Sequence, residues 1–154
     1  MLCLCFPYAV SVPPEGASTG TLAGVQDMSR RILVVDDDPQ IRRIMRAVLV
    51  AKRYEVIEAE CGEDALKLIR SEKYDLVLLD INMPGITGIE VCKEARTSSD
   101  IPIVMMSAGE ESRAKALDAG ANDYLKKPFG VSQIFSCVKF HLGEEGGDVL
   151  LEKC

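Results

Sequence analysis

The chain has 154 residues, 47% of them hydrophobic and 27% charged, which is enough for one domain with a full hydrophobic core. Its formal net charge of −6 argues against nucleic acid as the main ligand, because a phosphate backbone requires a basic surface. No apolar run approaches the roughly 20 residues of a membrane-spanning helix, and the six cysteines include no C-x-x-C pair. We therefore expect a cytoplasmic protein with reduced thiols that uses neither nucleic acid nor membrane as a partner.

The two ends of the chain show no regular pattern. Residues 1–29 include a segment rich in Pro, Gly, Ser and Thr and are predicted to be a flexible leader. One hypothesis is that translation starts at Met28, so that most of this leader is absent from the native protein. Residues 143–154 are predicted to be a C-terminal tail, which leaves residues 30–142 as the domain.

Between these ends, short apolar runs alternate with segments of helical periodicity. The predicted strands cover 31–36, 54–59, 75–80, 101–108 and 123–127. The predicted helices cover 39–49, 62–72, 89–96, 111–120 and 131–142. Strict alternation implies parallel strands joined by right-handed crossovers. We therefore expect an α/β fold, in which a doubly wound five-stranded parallel sheet forms the middle layer of a three-layer sandwich.

Polar residues collect at one edge of this predicted sheet, because the carboxyl ends of parallel strands meet there. The strand ends contribute Asp36, Asp37 and Asp38, then Asp80 and Asn82, then Ser107, and finally Lys126 and Lys127. Clustered carboxylates are tolerable when a hard cation neutralises them, and Mg²⁺ prefers oxygen ligands and binds phosphate oxygens. A carboxylate beside such an ion can attack a phosphoryl group and form an acyl phosphate, whose oxygens need cationic and hydroxyl partners. Spacing alone does not choose between the two lysines.

Asp38 is predicted to differ from the two acids before it. Pro39 follows it, and a proline at the first helical position has no N–H to lose. Asp38 therefore suits the N-cap of the first helix, where its side chain accepts a backbone N–H. The single histidine, His141, is predicted to be a surface residue near the end of the last helix, so no catalytic set built on histidine is expected.

Four segments resemble the response-regulator receiver domain of two-component signalling: ILVVDDDPQIRR, DLVLLDINMPGITGIEVCKEAR, IPIVMMSA and DYLKKPF. The resemblance spans residues 30–142 and keeps the family's motifs in order and spacing. It implies a flavodoxin-like (βα)5 fold and a phosphoacceptor switch rather than an enzyme. Phosphorylation and dephosphorylation would be autocatalytic.

The resemblance also implies the metal site. Asp80 matches the phosphate-accepting aspartate and a metal ligand. Asp36 and Asp37 match the acidic pair that binds Mg²⁺, one directly and one largely through water. The backbone carbonyl of Asn82 would be a further ligand.

Three more residues match the part of the family site that responds to phosphate. Ser107 matches the switch hydroxyl, and Lys127 matches the lysine that pairs with the phosphoryl oxygens, so the family pattern favours it over Lys126. The Lys127–Pro128 peptide bond would be cis. Tyr124 matches the aromatic residue whose inward or outward position reports the state of the switch.

The implied partners follow from that chemistry. A sensor histidine kinase or a histidine phosphotransfer protein would donate the phosphoryl group, and the face of the fourth helix, fifth strand and fifth helix would bind a downstream protein. Little chain follows Leu142, so we expect a stand-alone regulator in a phosphorelay. The alternative is a haloacid-dehalogenase-like phosphatase with Asp36 as nucleophile and Asp38 as acid–base, but it leaves Asp80 unexplained.

Overall fold

The computed structural model describes residues 29–109 and 111–144. The predicted leader and most of the predicted tail lie outside these residues. The strands are β1 (Arg31–Val35), β2 (Glu55–Ala59), β3 (Leu76–Asp80), β4 (Ile103–Ser107) and β5 (Asp123–Lys126). The helices are α1 (Pro39–Val50), α2 (Gly62–Ser71), α3 (Gly88–Ala95), α4 (Glu111–Asp118) and α5 (Val131–Leu142). Every predicted element is present, with its ends shifted by two residues at most.

The five strands form one parallel sheet in the order β2-β1-β3-β4-β5. The chain adds β2 on one side of β1 and then returns to add β3 on the other side. The strand order therefore reverses between β1 and β3, and ligands of such sheets bind beside the carboxyl ends of the strands at that point. The predicted doubly wound, flavodoxin-like architecture is confirmed.

Side chains alternate between the two faces of the sheet and build two cores. On one face, Ile32 and Val34 of β1 pack with Met45 of α1 and Val138 of α5. On the other face, Leu33 and Val35 join the buried residues of α2, α3 and α4. The three inner strands β1, β3 and β4 are buried along nearly their whole length, so their apolar runs contain few polar interruptions.

The start of α1 confirms the separate role of Asp38. Its Oδ1 accepts a hydrogen bond from the backbone N–H of Gln40 at 2.8 Å, and Pro39 occupies the first helical turn. The apolar stripe of α1 is less uniform than its spacing indicates, because Met45 is buried whereas Ile44 is 54% exposed. None of the helices in the described part of the chain has the length and apolar character needed to cross a bilayer.

The expectation of a surface His141 is wrong. Its side chain is only 9% exposed, and its Nε2 lies 3.2 Å from Oδ2 of Asp123. The reason is tertiary: α5 runs back along β5, so the last turn of the helix meets the first residue of the strand.

Candidate functional site

Three carboxylates meet where the strand order reverses. Asp36 follows β1, Asp80 ends β3, and oxygen atoms of Asp36, Asp37 and Asp80 all lie within 4.8 Å of one another. Asp36 and Asp80 are buried, whereas Asp37 is exposed. Buried carboxylates require compensation by charge or by hydrogen bonds, so the partners of these side chains decide what the site can do.

Lys127 supplies the positive charge of the cluster. Its Nζ donates to Oδ2 of Asp36 at 2.7 Å and to Oδ1 of Asp80 at 2.8 Å. Lys126 is exposed, as alternation along β5 requires when its neighbour faces the site. The peptide bond between Lys127 and Pro128 is cis.

Burial and charge act in opposite directions on this pair. Burial raises the pKa of Asp80, the hydrogen bond from Lys127 offsets only part of that effect, and the charges of Asp36 and Asp37 add to it. Burial alone would lower the pKa of Lys127, but its hydrogen bonds to Asp36 and Asp80 outweigh burial, so that pKa lies above its usual value. The lysine therefore remains a cation next to the acids.

Further hydrogen bonds hold Asp36 in position. Its Oδ1 accepts the backbone N–H of Asp38 at 2.9 Å, and the guanidinium of Arg42 donates to its backbone carbonyl at 2.6 Å. Sequence reasoning missed Arg42. A signal was present, because a cation in the first turn of a helix opposes the helix dipole and indicates a local partner for its charge.

Asn82 links the end of β3 to the end of β4. Its backbone N–H donates to Oδ2 of Asp80 at 3.1 Å, and its side-chain amide donates to Oγ of Ser107 at 3.1 Å. The same Ser107 oxygen lies 3.3 Å from Oγ of Ser112 on α4. Sequence analysis considered only the carbonyl of Asn82 and missed these side-chain contacts, which no sequence spacing indicates.

Tyr124 is turned inward from β5. Its hydroxyl oxygen lies 2.6 Å from the carbonyl oxygen of Gly109 and 3.0 Å from that of Ser107, so the two carbonyls share its one hydrogen. The ring packs against the core on the α3 and α4 side of the sheet. Tyr124 therefore couples β5 to the segment that follows Ser107.

The donor set suits Mg²⁺. Three carboxylates and one lysine leave two surplus negative charges, and all the acidic ligand atoms are oxygens. Hard oxygen ligands and surplus negative charge are what Mg²⁺ prefers, whereas zinc sites usually contain imidazole or thiolate. The residues present therefore fit a magnesium ion.

Comparison with protein families matches residues 32–139 to the response regulator receiver domain. Among curated proteins, the transcriptional regulatory protein ResD of Bacillus subtilis is 43% identical over 116 residues, which are 74% of this chain and 48% of ResD. The chain thus spans about half the length of the curated relatives it matches.

Two solved structures are similar over nearly their whole length. The response regulator TrrA from Thermotoga maritima, solved in complex with Mg²⁺–BeF, is 42% identical with a TM-score of 0.69, and the match covers 73% of this chain and 99% of TrrA. The chemotaxis response regulator CheY4 of Vibrio cholerae is 30% identical with a TM-score of 0.71, over 74% of this chain and 99% of CheY4. The range that matches the family contains every strand end that builds the site.

Proposed function

The chain belongs to the response regulator receiver domain family, and on this premise we propose that it is a phosphorylation switch in which Asp80 accepts the phosphoryl group. The observation that carries the proposal is the position of Asp80, a buried carboxylate beside two other acids and one lysine at the switch point of the sheet. Response regulators take phosphoryl groups from histidine kinases. The proposed donor is therefore a sensor histidine kinase or a histidine phosphotransfer protein.

In the proposed step, a carboxylate oxygen of Asp80 attacks the phosphorus atom of a phosphohistidine. A P–O bond forms, the P–N bond breaks, and its electron pair returns to the donor imidazole. Asp36, Asp37, Asp80 and the backbone carbonyl of Asn82 would hold Mg²⁺, which when bound neutralises the carboxylates and the phosphoryl oxygens. Lys127, already 2.8 Å from Asp80, would pair with the phosphoryl oxygens.

The readout is proposed to begin at Ser107. Its hydroxyl contacts neutral partners in Asn82 and Ser112, whereas a phosphoryl group on Asp80 would offer a charged and therefore stronger acceptor. Movement of Ser107 would disturb the carbonyl groups that Tyr124 contacts. The phosphoryl group would thus shift the equilibrium between two pre-existing conformations of the α4–β5–α5 face.

That face is proposed to bind a protein partner, and its exposed apolar side chains, Leu117 of α4 and Phe140 of α5, support this. Curated relatives of this chain, ResD among them, are named as transcriptional regulators. Their names weigh against our expectation that nucleic acid plays no part, which rested on net charge alone, and they lend no support to a stand-alone role. A cytoplasmic location remains part of the proposal.

The phosphatase alternative is disfavoured by family membership, since residues 32–139 match the receiver domain. It also gives no role to Asp80, although this buried carboxylate lies beside the other two acids and pairs with Lys127.

Trapping the acyl phosphate tests the proposal. The full chain is incubated with Mg²⁺ and acetyl phosphate, the product is reduced with borohydride, and the modified residue is mapped by mass spectrometry. We expect label on Asp80, its loss in Asp80→Asn, and its retention in Asp100→Asn, a matched change at an exposed aspartate. Label on Asp36 with continued turnover, or no label on the folded protein, would contradict the proposal.

A further inference from the structure

A second group of metal-ligating side chains lies at the opposite end of β5 from Lys127. Asp123 opens β5, and Cys137 and His141 lie four residues apart on α5, so their side chains share one face of the helix. One ligand atom from each of the three lies within 4.8 Å of the other two. None of these residues contributes to the site around Asp80.

The local hydrogen bonds orient the group. The backbone N–H of Tyr124 donates to Oδ1 of Asp123 at 2.7 Å, which leaves Oδ2 facing His141, 3.2 Å from its Nε2. The His141 side chain is nearly buried, whereas that of Asp123 is 41% exposed. An ion could therefore enter from the side of Asp123, and a water could occupy a remaining position there.

The combination of donors is specific. A thiolate, an imidazole and a carboxylate are three ligand types that zinc binds, and zinc sites with three protein ligands keep a fourth position open. Ligand atoms in a tetrahedral zinc site lie about 3.3–3.8 Å apart, as the usual metal–ligand bond lengths require. The observed upper limit of 4.8 Å therefore demands only small side-chain shifts. The hydrogen bond between His141 and Asp123 explains why these two side chains lie together. It does not explain why the thiol of Cys137 lies beside them.

Charge also favours a divalent ion at this point. A Cys137 thiolate and the Asp123 carboxylate together balance two positive charges, so the occupied site is neutral. Arg113 of α4 is near enough to act electrostatically on Asp123. Because the occupied site is neutral, it would not repel the positive charge of this arginine. Soft thiolate selects zinc over Mg²⁺, while the all-oxygen site around Asp80 selects Mg²⁺.

We propose that Asp123, Cys137 and His141 form a Zn²⁺ site that joins β5 to α5, with its fourth position open to solvent. The site is separate from phosphoryl transfer, so failure of one proposal does not entail failure of the other.

The single histidine of the sequence makes a direct test on the unmodified chain possible. The full chain is saturated with Mg²⁺, ZnCl₂ is added stepwise, and the imidazole resonances of His141 are followed by NMR. We expect these resonances to shift until one equivalent of zinc has been added and to remain constant beyond it. If they are unchanged at stoichiometric zinc, the proposal is overturned.

Cobalt identifies the thiolate. Co²⁺ bound through Cys137 should give a thiolate-to-metal charge-transfer absorption, which Cys137→Ser should abolish. Cys61→Ser, a matched change at the residue that precedes α2, should retain it, as should a double Cys3→Ser, Cys5→Ser variant. Retention of the band in Cys137→Ser overturns the proposal.

Zinc affinity completes the comparison. Competition with a chromogenic chelator should show that the zinc affinity of His141→Gln is at least tenfold lower than that of the parent chain. Even substitutions of residues around a metal site change metal affinity by about 10–100-fold. Thermal denaturation confirms that each variant is folded. If a variant is not folded, the NMR titration of the unmodified chain tests the proposal instead. Zinc affinity equal to that of the parent chain in folded His141→Gln overturns the site.

Discussion

Gly88→Ala should damage both the fold and the site, although Gly88 has no chemical role. Gly88 begins α3, and its N–H donates to the carbonyl of Ile81 at 3.0 Å. A Cβ built on Gly88 would lie 2.1 Å from the carbonyl oxygen of Asp80 and 2.9 Å from the Cα of Ile81. Both contacts are with backbone, so no side-chain rotation relieves them.

The magnitude follows from that geometry. The 2.1 Å contact is about 1 Å shorter than a tolerable carbon–oxygen approach, so α3 or the end of β3 must move. Overpacking of this kind costs about 1–3 kcal/mol, and loss of the N–H bond to Ile81 adds about 1 kcal/mol. We therefore expect the free energy of unfolding to fall by about 3 kcal/mol, equivalent to roughly 10 °C in Tm for a domain of this size.

Two other glycines provide matched controls. Gly143 has a φ of 67° with no heavy atom within 4 Å of a built Cβ, so Gly143→Ala tests backbone strain without a clash. Its expected cost is about 1 kcal/mol. Gly130 has an ordinary φ of −85°, and the nearest atom would lie 3.8 Å away. Gly130 is the N-cap of α5, where alanine is less favourable than glycine, so Gly130→Ala should cost about 0.5–1 kcal/mol.

Urea denaturation of the three variants ranks these effects, and acetyl phosphate labelling reports the site. We expect Gly88→Ala to be the least stable and, where it remains folded, to label Asp80 more slowly, because the displaced backbone carries that residue. If Gly88→Ala is as stable as Gly130→Ala, or less destabilised than Gly143→Ala, the close approach of α3 to Asp80 is not what the contact distances imply.

Three further predictions concern single side chains. Lys127→Met removes the cation between two buried carboxylates, and without Mg²⁺ it should cost about 2–3 kcal/mol in thermal denaturation; unchanged stability would mean that the acids do not depend on this lysine. Asp38→Ala should lose about 1 kcal/mol of stability through the lost helix cap yet keep its Mg²⁺ affinity. Asp37→Asn should weaken Mg²⁺ binding strongly. Equal affinities of the two variants in a Mg²⁺ titration would refute the division between a capping Asp38 and a metal-binding Asp37. Backbone and side-chain hydrogen bonds from Thr87 lower the pKa of Glu90, so its stabilisation is complete above the ordinary pKa and is lost as pH falls through the lowered one. Glu90→Gln should therefore flatten the acid limb of stability against pH in urea denaturation, and an unaltered slope would contradict that reasoning.

Much of the fold could be predicted because the local signals agree with one another. The runs that became β1, β3 and β4 are apolar and of strand length, and each is followed by a helical period. The pair Asp38 and Pro39 marked the start of α1, since capping depends on adjacent residues alone. Strict alternation then implied parallel strands with their carboxyl ends on one edge, which placed Asp36, Asp80, Ser107 and the pair Lys126 and Lys127 at one candidate site.

Contacts between distant segments were not predictable in the same way. The amide of Asn82 meets Ser107 across 25 positions of sequence, and the approach of Gly88 to Asp80 depends on the packing angle of α3. The pairing of His141 with Asp123 arises because α5 runs back along β5. Each depends on side-chain direction or on the distance between packed elements, and sequence period carries neither quantity.

The amino-acid sequence by itself determined the order of the elements, the parallel sheet and the residue types at its carboxyl edge, because hydrophobic period and capping are local properties of the chain. Only the tertiary structure decided which lysine faces the acids, how Ser107 and Tyr124 are connected, and that Cys137 stands with Asp123 and His141. These arrangements are fixed by packing between elements far apart in sequence, where differences of one ångström separate a contact from a gap.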